Sequence, residues 1–308
     1  MKIIGAGLAG LLAANMLSHR RPEVLEAQSE LPNNHSAVLR FRSPIVGDVL
    51  NIPFKKVTMI KTNAPWRNPV ADALAYSFKN GGVIRSDRSI IAGTTVADRW
   101  IAPLNLIARM SERCDIKFGH KLEQFGEGTG EPWVSTIPMP SLMKLLNYPG
   151  AEAIEFKSRP GITLKARIKN CDAYVSVLVP DLETIISRIS ITGDELIVEI
   201  PGEHQPSDFN SSLIAQLFET IFLILGFHYG DVELTDVEVK HQRYAKIMPI
   251  DDAQRKNFMH WATDNFNIFS LGRFATWRPG LLLDDLVQDV RKIDRWMNDG
   301  KYAIAMER

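Results

Sequence analysis

"MKIIGAGLAGLLAANMLSHRRPEVLEAQ", residues 1–28, opens the chain. Lys2 to Ile4 predicts a minimal strand, and a glycine follows it at once. In the pattern Gly5-x-Gly7-x-x-Gly10 the first glycine permits a tight turn. The second lets a pyrophosphate approach the backbone, and the third lets the following helix pack against the strand. Leu8 and Ala9 begin that helix, Ala13 and Ala14 keep one face slim, and its first N–H groups and dipole favour an anion. "PEVLEAQ" then predicts a second strand ending at Glu26, about 20 residues past the motif, where a carboxylate can accept from both ribose hydroxyls. Strand, glycine turn, helix, strand and acid in this order predict a dinucleotide site. Glu26 argues against a 2′-phosphate and so against NADP; FAD and NAD share the fingerprint.

The bulk composition allows one large domain or two intimate ones: 308 residues, 45% hydrophobic and 23% charged. Cys114 and Cys171 are too few for a disulfide framework and lack metal-ligand spacing, so a reducing, cytoplasmic setting is expected. His241 and His260 pair with neither a cysteine nor a carboxylate cluster, and no metal site is expected. A Walker lysine and a Ser-His-Asp order are both missing, which leaves kinase and hydrolase readings without support. A membrane span needs roughly 20 apolar residues. The apolar "LAGLLAANML" is shorter, and "LIAQLFETIFLILGF" is broken by Gln216 and Glu219, so no membrane segment is expected.

Net charge is zero but unevenly spread. Residues 1–125 hold about 17 Lys/Arg against about 10 Asp/Glu. A basic half of this kind attracts a phosphate-rich cofactor, a nucleotide substrate or a nucleic acid.

At the far end, "NIFSLGR" predicts a strand running into Gly272-Arg273, and "LLLDDLVQDVRKIDRWM" an amphipathic helix with apolar Leu282, Leu286 and Val290. Here the chain resembles the UDP-galactopyranose mutase-like flavoproteins, within the larger glutathione-reductase-like and amine-oxidase-like FAD group. "YAKIMPIDD" resembles that family's Tyr-x-x-x-x-Pro-Ile-Asn/Asp stretch, and "LGRFATWRPGLLLDDLVQDV" its Gly-Arg entry to the last helix. "PWVSTIPMPSLMKLL" is similar to a strand-turn of the group that carries Thr136, and "VPDLETIISRISITGDELIVEI" to substrate-domain strands bearing an arginine, here Arg188.

The resemblance implies FAD as cofactor. It implies cofactor contacts from Gly5, Gly7, Leu8, Ala9, Gly10, Glu26, Arg40, Thr136, Gly272, Arg273, Leu282, Leu283 and Asp284. Tyr244, Lys246, Arg188 and His35 are the candidate catalytic residues: Tyr244 and Lys246 face substrate by the resemblance, an arginine fork at Arg188 matches a phosphate or carboxylate, and His35 could transfer protons. The six tryptophans default to core packing.

The expected fold class is α/β: a Rossmann-like FAD-binding domain with an inserted α+β substrate domain carrying an antiparallel sheet. The FAD domain is expected to be discontinuous, from 1–55, 114–145 and 245–308, with 56–113 and 146–244 forming the substrate domain. "ITLKARIK", "AYVSVLVP" and "DELIVEIP" predict strands of the inserted sheet, residues 211–226 a helix packed on it, and 56–113 a mixture of loops and helices. The expected function is an FAD-dependent oxidoreductase acting on an amine or alcohol carbon of a small-molecule or nucleotide substrate. Three alternatives stand beside it: a phage-type flavoenzyme modifying a nucleobase or its side chain in DNA, non-redox mutase-like chemistry on a sugar nucleotide, and a non-catalytic nucleotide-binding module.

Overall fold

The computed structural model describes residues 1–31, 39–64, 68–84, 93–123, 125 and 130–299. Candidate His35, Trp66 and the turn at 126–129 lie outside them. The chain begins with β1 (Lys2–Ile4), α1 (Leu8–Met16), β2 (Glu23–Leu25), β3 (Arg40–Phe41) and α2 (Ile45–Leu50). It continues through β4 (Lys55–Asn63), α3 (Pro69–Gly81), β5 (Thr95–Ile101), α4 (Leu106–Ser111), β6 (Asp115–Lys117), β7 (Trp133–Ser135) and α5 (Met139–Leu145). Next come β8 (Ser158–Ile168), β9 (Ala173–Leu178), β10 (Arg188–Gly193), β11 (Glu195–Pro201) and α6 (Ser211–Leu225). The described chain closes with β12 (Leu234–Ile247), α7 (Asp252–Phe266), β13 (Ile268–Ser270) and α8 (Leu283–Asp299).

Two sheets organise these elements. The first is five-stranded and wholly parallel, in the order β13-β7-β1-β2-β6. β1, β7 and β13 bury residues on both sides because helices cover both faces, whereas edge strand β6 exposes Asp115 and Lys117. Ile3 packs with α1, α2, α4 and α8 in one core, and its neighbour Ile4 packs with α5 and α7 in another. The second sheet is eight-stranded, in the order β12-β8-β11-β10-β9-β4-β5-β3. Its pairs are antiparallel except for β4 with β9, which run parallel. The chain is thus α/β, with a Rossmann-type parallel sheet and a curled mixed sheet.

One face of the second sheet is a hydrocarbon core. Ile162, Leu164, Ala166, Ile189, Ile191, Leu196, Val198 and Ile200 alternate along β8, β10 and β11 and meet α6. Leu217, Phe218, Ile221 and Phe222 form the buried stripe of α6, each worth about 1.5–3 kcal/mol when fully buried. Asn210 caps its start, its Oδ1 accepting from Leu213 N at 2.9 Å, and Gly226 ends it at φ +85°.

Residues 56–113 correct the expectation of loops and helices alone: β4 and β5 are full strands in that stretch. Both are half polar, Lys55-Lys56-Val57-Thr58-Met59 and Thr95-Val96-Ala97-Asp98-Arg99, so hydrophobic periodicity is weak there. Long-range pairing, not local propensity, makes them strands. No helix among the described residues is long and apolar enough to cross a membrane.

Candidate functional site

Four parallel strands release the chain at one edge of the first sheet, into Gly5, Glu26, Thr136 and Leu271-Gly272. In open α/β sheets ligands bind outside this carboxyl edge. Gly5 adopts φ +93°, and a Cβ there would lie 2.4 Å from Thr136 Oγ1, which itself donates to Ile4 O at 2.8 Å. At Gly10 a Cβ would lie 1.9 Å from Gly5 O, so α1 leans on the turn with no room for any side chain. Around Gly7 the space is open: no atom lies within 4 Å of an added Cβ. Gly7 is also the N-cap of α1, and no side chain caps the helix start. Uncapped N–H groups facing open space at a glycine form a cradle that fits a diphosphate.

Glu26 stands beside this cradle. One of its oxygens accepts from Ala6 N at 2.7 Å and the other from Gln28 N at 2.9 Å, which locks the carboxylate against the glycine turn. Gly272, at φ +102°, brings the far end of the chain in: its Cβ position is 3.1 Å from Ala9 Cβ. Gly5, Gly7, Leu8, Ala9, Gly10, Glu26, Thr136 and Gly272 therefore converge across 268 residues of sequence.

Arg273 follows directly, its guanidinium 5.5 Å from the Phe274 ring. Leu282 is exposed and Leu283 starts α8. Asp284 ties that helix start to the chain after β3, accepting from Ser43 N at 3.0 Å, Arg42 N at 3.1 Å and Ser43 Oγ at 3.1 Å. Arg42 adds an ion pair to Asp285 at 2.6 Å.

The second sheet presents its other face as a polar surface. Cross-strand registers place Asn63, Leu178, Arg188, Glu199 and Thr163 in one row, and Lys61, Ser176, Ser190, Ile197 and Lys165 in the next. Arg99 and Arg40 sit on the same face, opposite Val57 and Ile101. Arg40 reaches over Met59 Sδ to Ser190 Oγ at 3.4 Å. Burial first, then the charges of Arg188 and Arg99, push Arg40 down to about 10. Lys61 is lowered by burial and then by Arg99, Arg40 and Arg188. These mutual effects record a convergence of four cations. Glu199 partly offsets them, pairing with Arg188 through one oxygen and with Lys246 Nζ at 3.0 Å through the other. On the same face a cavity of about 600 Å³ is lined by Lys55, Lys165 and Arg167 together with Asp194, Glu195, Asp236 and Glu238, so its charges are nearly balanced.

Tyr244 joins the two sheets. A register shift between Gln242 and Lys246 turns the strand there, and the Tyr244 ring packs 5.9 Å from Phe274, next to Arg273. A path therefore runs from the glycine turn through Gly272, Arg273 and Tyr244 to Lys246, Glu199 and Arg188. Arg40, read from sequence as a cofactor residue, is placed among the cations of the second sheet. Lys61, Arg99 and Glu199 went unrecognised in the sequence. Their only signal was the alternation Val57-Met59-Lys61 and Ala97-Arg99-Ile101, legible once β4 and β5 are known to be strands.

Burial raises the Cys114 thiol to about 11, and Cys171 is raised for the same reason, so neither is poised as a nucleophile. Among the described residues no group of three His, Cys, Asp or Glu could hold a metal ion.

No protein-family model matches the sequence, and no curated protein sequence does. Solved structures do match. The chain is similar to reduced UDP-galactopyranose mutase at 13% identity and TM-score 0.66, over 97% of this chain and 96% of that one. It is similar to an oxidoreductase from Methanosarcina mazei at 11% identity and TM-score 0.58, over 96% of this chain and 100% of that one. It also matches aklavinone-11 hydroxylase, solved as a ternary complex with FAD and aklavinone, at 12% identity and TM-score 0.52, over 88% of this chain and 56% of that one. The chain has the fold of the UDP-galactopyranose mutase-like and amine-oxidase-like FAD flavoproteins.

Proposed function

We propose that the chain is an FAD-dependent flavoenzyme whose substrate carries an anionic group. The observation that carries this reading is the continuity of the site: a diphosphate cradle at one sheet edge leads through Tyr244 to four clustered cations on the next sheet. Gly5, Gly7, Leu8, Ala9 and Gly10 would hold the diphosphate of FAD, and Glu26 its ribose. Gly272 and Arg273 would lie along the remainder. FAD is favoured over NAD by the fold and by the Gly272-Arg273 entry to the last helix. Bound flavin supplies hydride acceptance from an amine or alcohol carbon.

The chain's own residues bind and orient. Arg40, Lys61, Arg99 and Arg188 would hold a phosphate or carboxylate of the substrate, since guanidinium forks match those groups. Glu199 holds Arg188 and Lys246 together and fixes where their donors point. Tyr244, at the seam, would set the distance between the anchored anion and the reacting carbon.

A second reading, non-redox mutase chemistry on a sugar nucleotide, draws support from the near-complete overlap with UDP-galactopyranose mutase and from a cation cluster suited to a diphosphate. A polynucleotide substrate would use the same cations, three of which come from the basic first half of the chain.

The deciding experiment is the visible spectrum of the purified protein before and after denaturation. Flavin absorbance that leaves with a released small molecule is the expected result. A colourless protein that takes up no added FAD would return the cradle to NAD. Anaerobic bleaching by anionic amines or alcohols supports the oxidoreductase reading. Isomerisation of a sugar nucleotide only by pre-reduced protein favours the mutase, and polynucleotide binding that falls steeply with salt favours the nucleic-acid substrate.

A further inference from the structure

A surface helix ordinarily turns its apolar stripe to the core and its polar stripe to water. Helix α3 does the reverse. Asp72, Tyr76, Lys79 and Asn80 recur at the spacing of one helix face, and all are buried. The opposite face carries Val70, Ala71, Leu74, Ala75 and Phe78, with Val70 68% and Phe78 46% exposed. Asp72 and Lys79 are the helix's two charged residues, so α3 presents no charge to solvent.

Polar bonds fix this orientation. Lys79 Nζ donates to Val179 O at 3.2 Å and to Asp181 O, which pins α3 to the chain leaving β9. Arg159, at the start of β8, donates to Phe78 O at 3.3 Å. Asn68 caps the helix, accepting from Val70 N at 2.9 Å, and Gly82 ends it at φ +68°. Rolling α3 to bury Val70 and Phe78 would break the Lys79 bonds and strand that ammonium's acceptors. Val83 and Ile84 just past the helix, and Leu182 in the loop that Lys79 holds, are exposed as well. Apolar side chains gathered on one exposed stripe mark an interaction surface.

The stripe itself indicates what fits it. It offers a polyanion or a charged peptide nothing to pair with. It is also close to palindromic: Val70, Leu74 and Phe78 are large and spaced by one helical turn, with the small Ala71 and Ala75 beside them. Two such helices laid antiparallel about a two-fold axis through Leu74 set Val70 of each against Phe78 of the other. The alanines then let the helix axes come close. The chain's net charge is zero, so two copies do not repel each other.

We propose that α3 is a homodimer interface, pairing antiparallel with α3 of a second copy and centred on Leu74. Its 13 residues span about 20 Å, and its face is about 10 Å wide. That is well short of the roughly 800 Å² per partner in a standard complex. The dimer is therefore weak, with a Kd on the order of 10–100 micromolar.

The test is sedimentation of the full chain from about 1 to about 300 micromolar. The wild type is expected to pass from monomer to dimer across that range. Val70→Lys and Phe78→Glu each put a charge into an apolar contact, and each should weaken association at least about tenfold. Both positions are exposed, so the unfolding midpoint measured alongside should stay near wild type. The double variant, Val70→Lys with Phe78→Glu, should recover the dimer, because each new cation then faces the new anion of the other copy. The two positions lie about 12 Å apart along one helix, so the recovery cannot arise within a single chain. A chain that stays monomeric throughout overturns the proposal. Dimerisation that neither single variant disturbs places the interface elsewhere and overturns it too. Failure of the double variant to recover overturns the antiparallel register. A monomer that co-sediments with phosphatidylcholine vesicles, and ceases to as Phe78→Glu, assigns the stripe to a lipid surface instead. Flavin content plays no part in this readout, so the interface and the flavoenzyme reading stand or fall separately.

Discussion

In the parallel sheet every strand is three residues long, and helices cover both faces. In the mixed sheet strands reach 14 residues, and α6 covers an apolar face while the other is polar. The first sheet achieves its geometry through two glycines, Gly5 and Gly10, that tolerate no substituent. The second gathers on its polar face charges that repel one another. One region is therefore constrained by sterics and the other by electrostatics, and substitutions should separate them cleanly.

The largest contrast is expected within the cradle itself. Gly10→Val would place carbon 1.9 Å or closer to Gly5 O, so a loss of about 3 kcal/mol or more is expected in chemical denaturation. Gly7→Ala, with open space around its Cβ, should leave the unfolding midpoint within about 0.5 kcal/mol of wild type while abolishing FAD uptake. If both variants unfold alike, the cradle is structural and the cofactor assignment loses its main support.

Next in size is the apolar face of the mixed sheet. Leu164, fully buried against α6, should cost about 2–5 kcal/mol as Leu164→Ala, with flavin content of the folded fraction unchanged. On the opposite face Lys61→Met should leave stability within about 0.5 kcal/mol, since it relieves repulsion from Arg99, Arg40 and Arg188. It should weaken pyrophosphate binding about tenfold by calorimetry. Marked destabilisation by Lys61→Met would mean that these cations hold the sheet together rather than await an anion.

The smallest expected effect is a pH dependence at α3. Lys79 donates to the carbonyls of Val179 and Asp181, and burial lowers it to about 8 from 10.5. Between those values the unfolded chain keeps the proton that the folded chain has released, so stability should rise with pH through that window and level off above it. Lys79→Met should lack this component when Tm is followed from pH 7.5 to 10.5.

The same contrast explains what the sequence disclosed. The motif Gly5-Gly7-Gly10 with Glu26, and the distant Gly272-Arg273, carry local conformational demands that only certain residue types meet, so they are legible residue by residue. The strands around Leu164 and Val198 alternate strongly and were equally plain. β4 and β5 were not, because Lys55, Thr58, Asp98 and Arg99 mask any apolar period, and β4 is selected as a strand by a partner more than 100 residues away. The cation cluster inherits that opacity: Lys61 and Arg99 read as ordinary surface charges until the sheet curls them toward Arg40 and Arg188.

The strand orders carry a consequence for biosynthesis. The parallel sheet gathers residues 2–4, 23–25, 115–117, 133–135 and 268–270, and the mixed sheet joins 60–63 to 175–178 before β12 closes it near residue 247. Neither sheet can be finished while the chain is still half made. The emerging polypeptide must leave the ribosome carrying unpaired strand edges and a naked α1, whose partner α8 comes last. A nascent chain of this topology keeps apolar surface exposed until β12, β13 and α8 have emerged. Cofactor captured at the cradle would then act as the clasp that seals the last helix to the first.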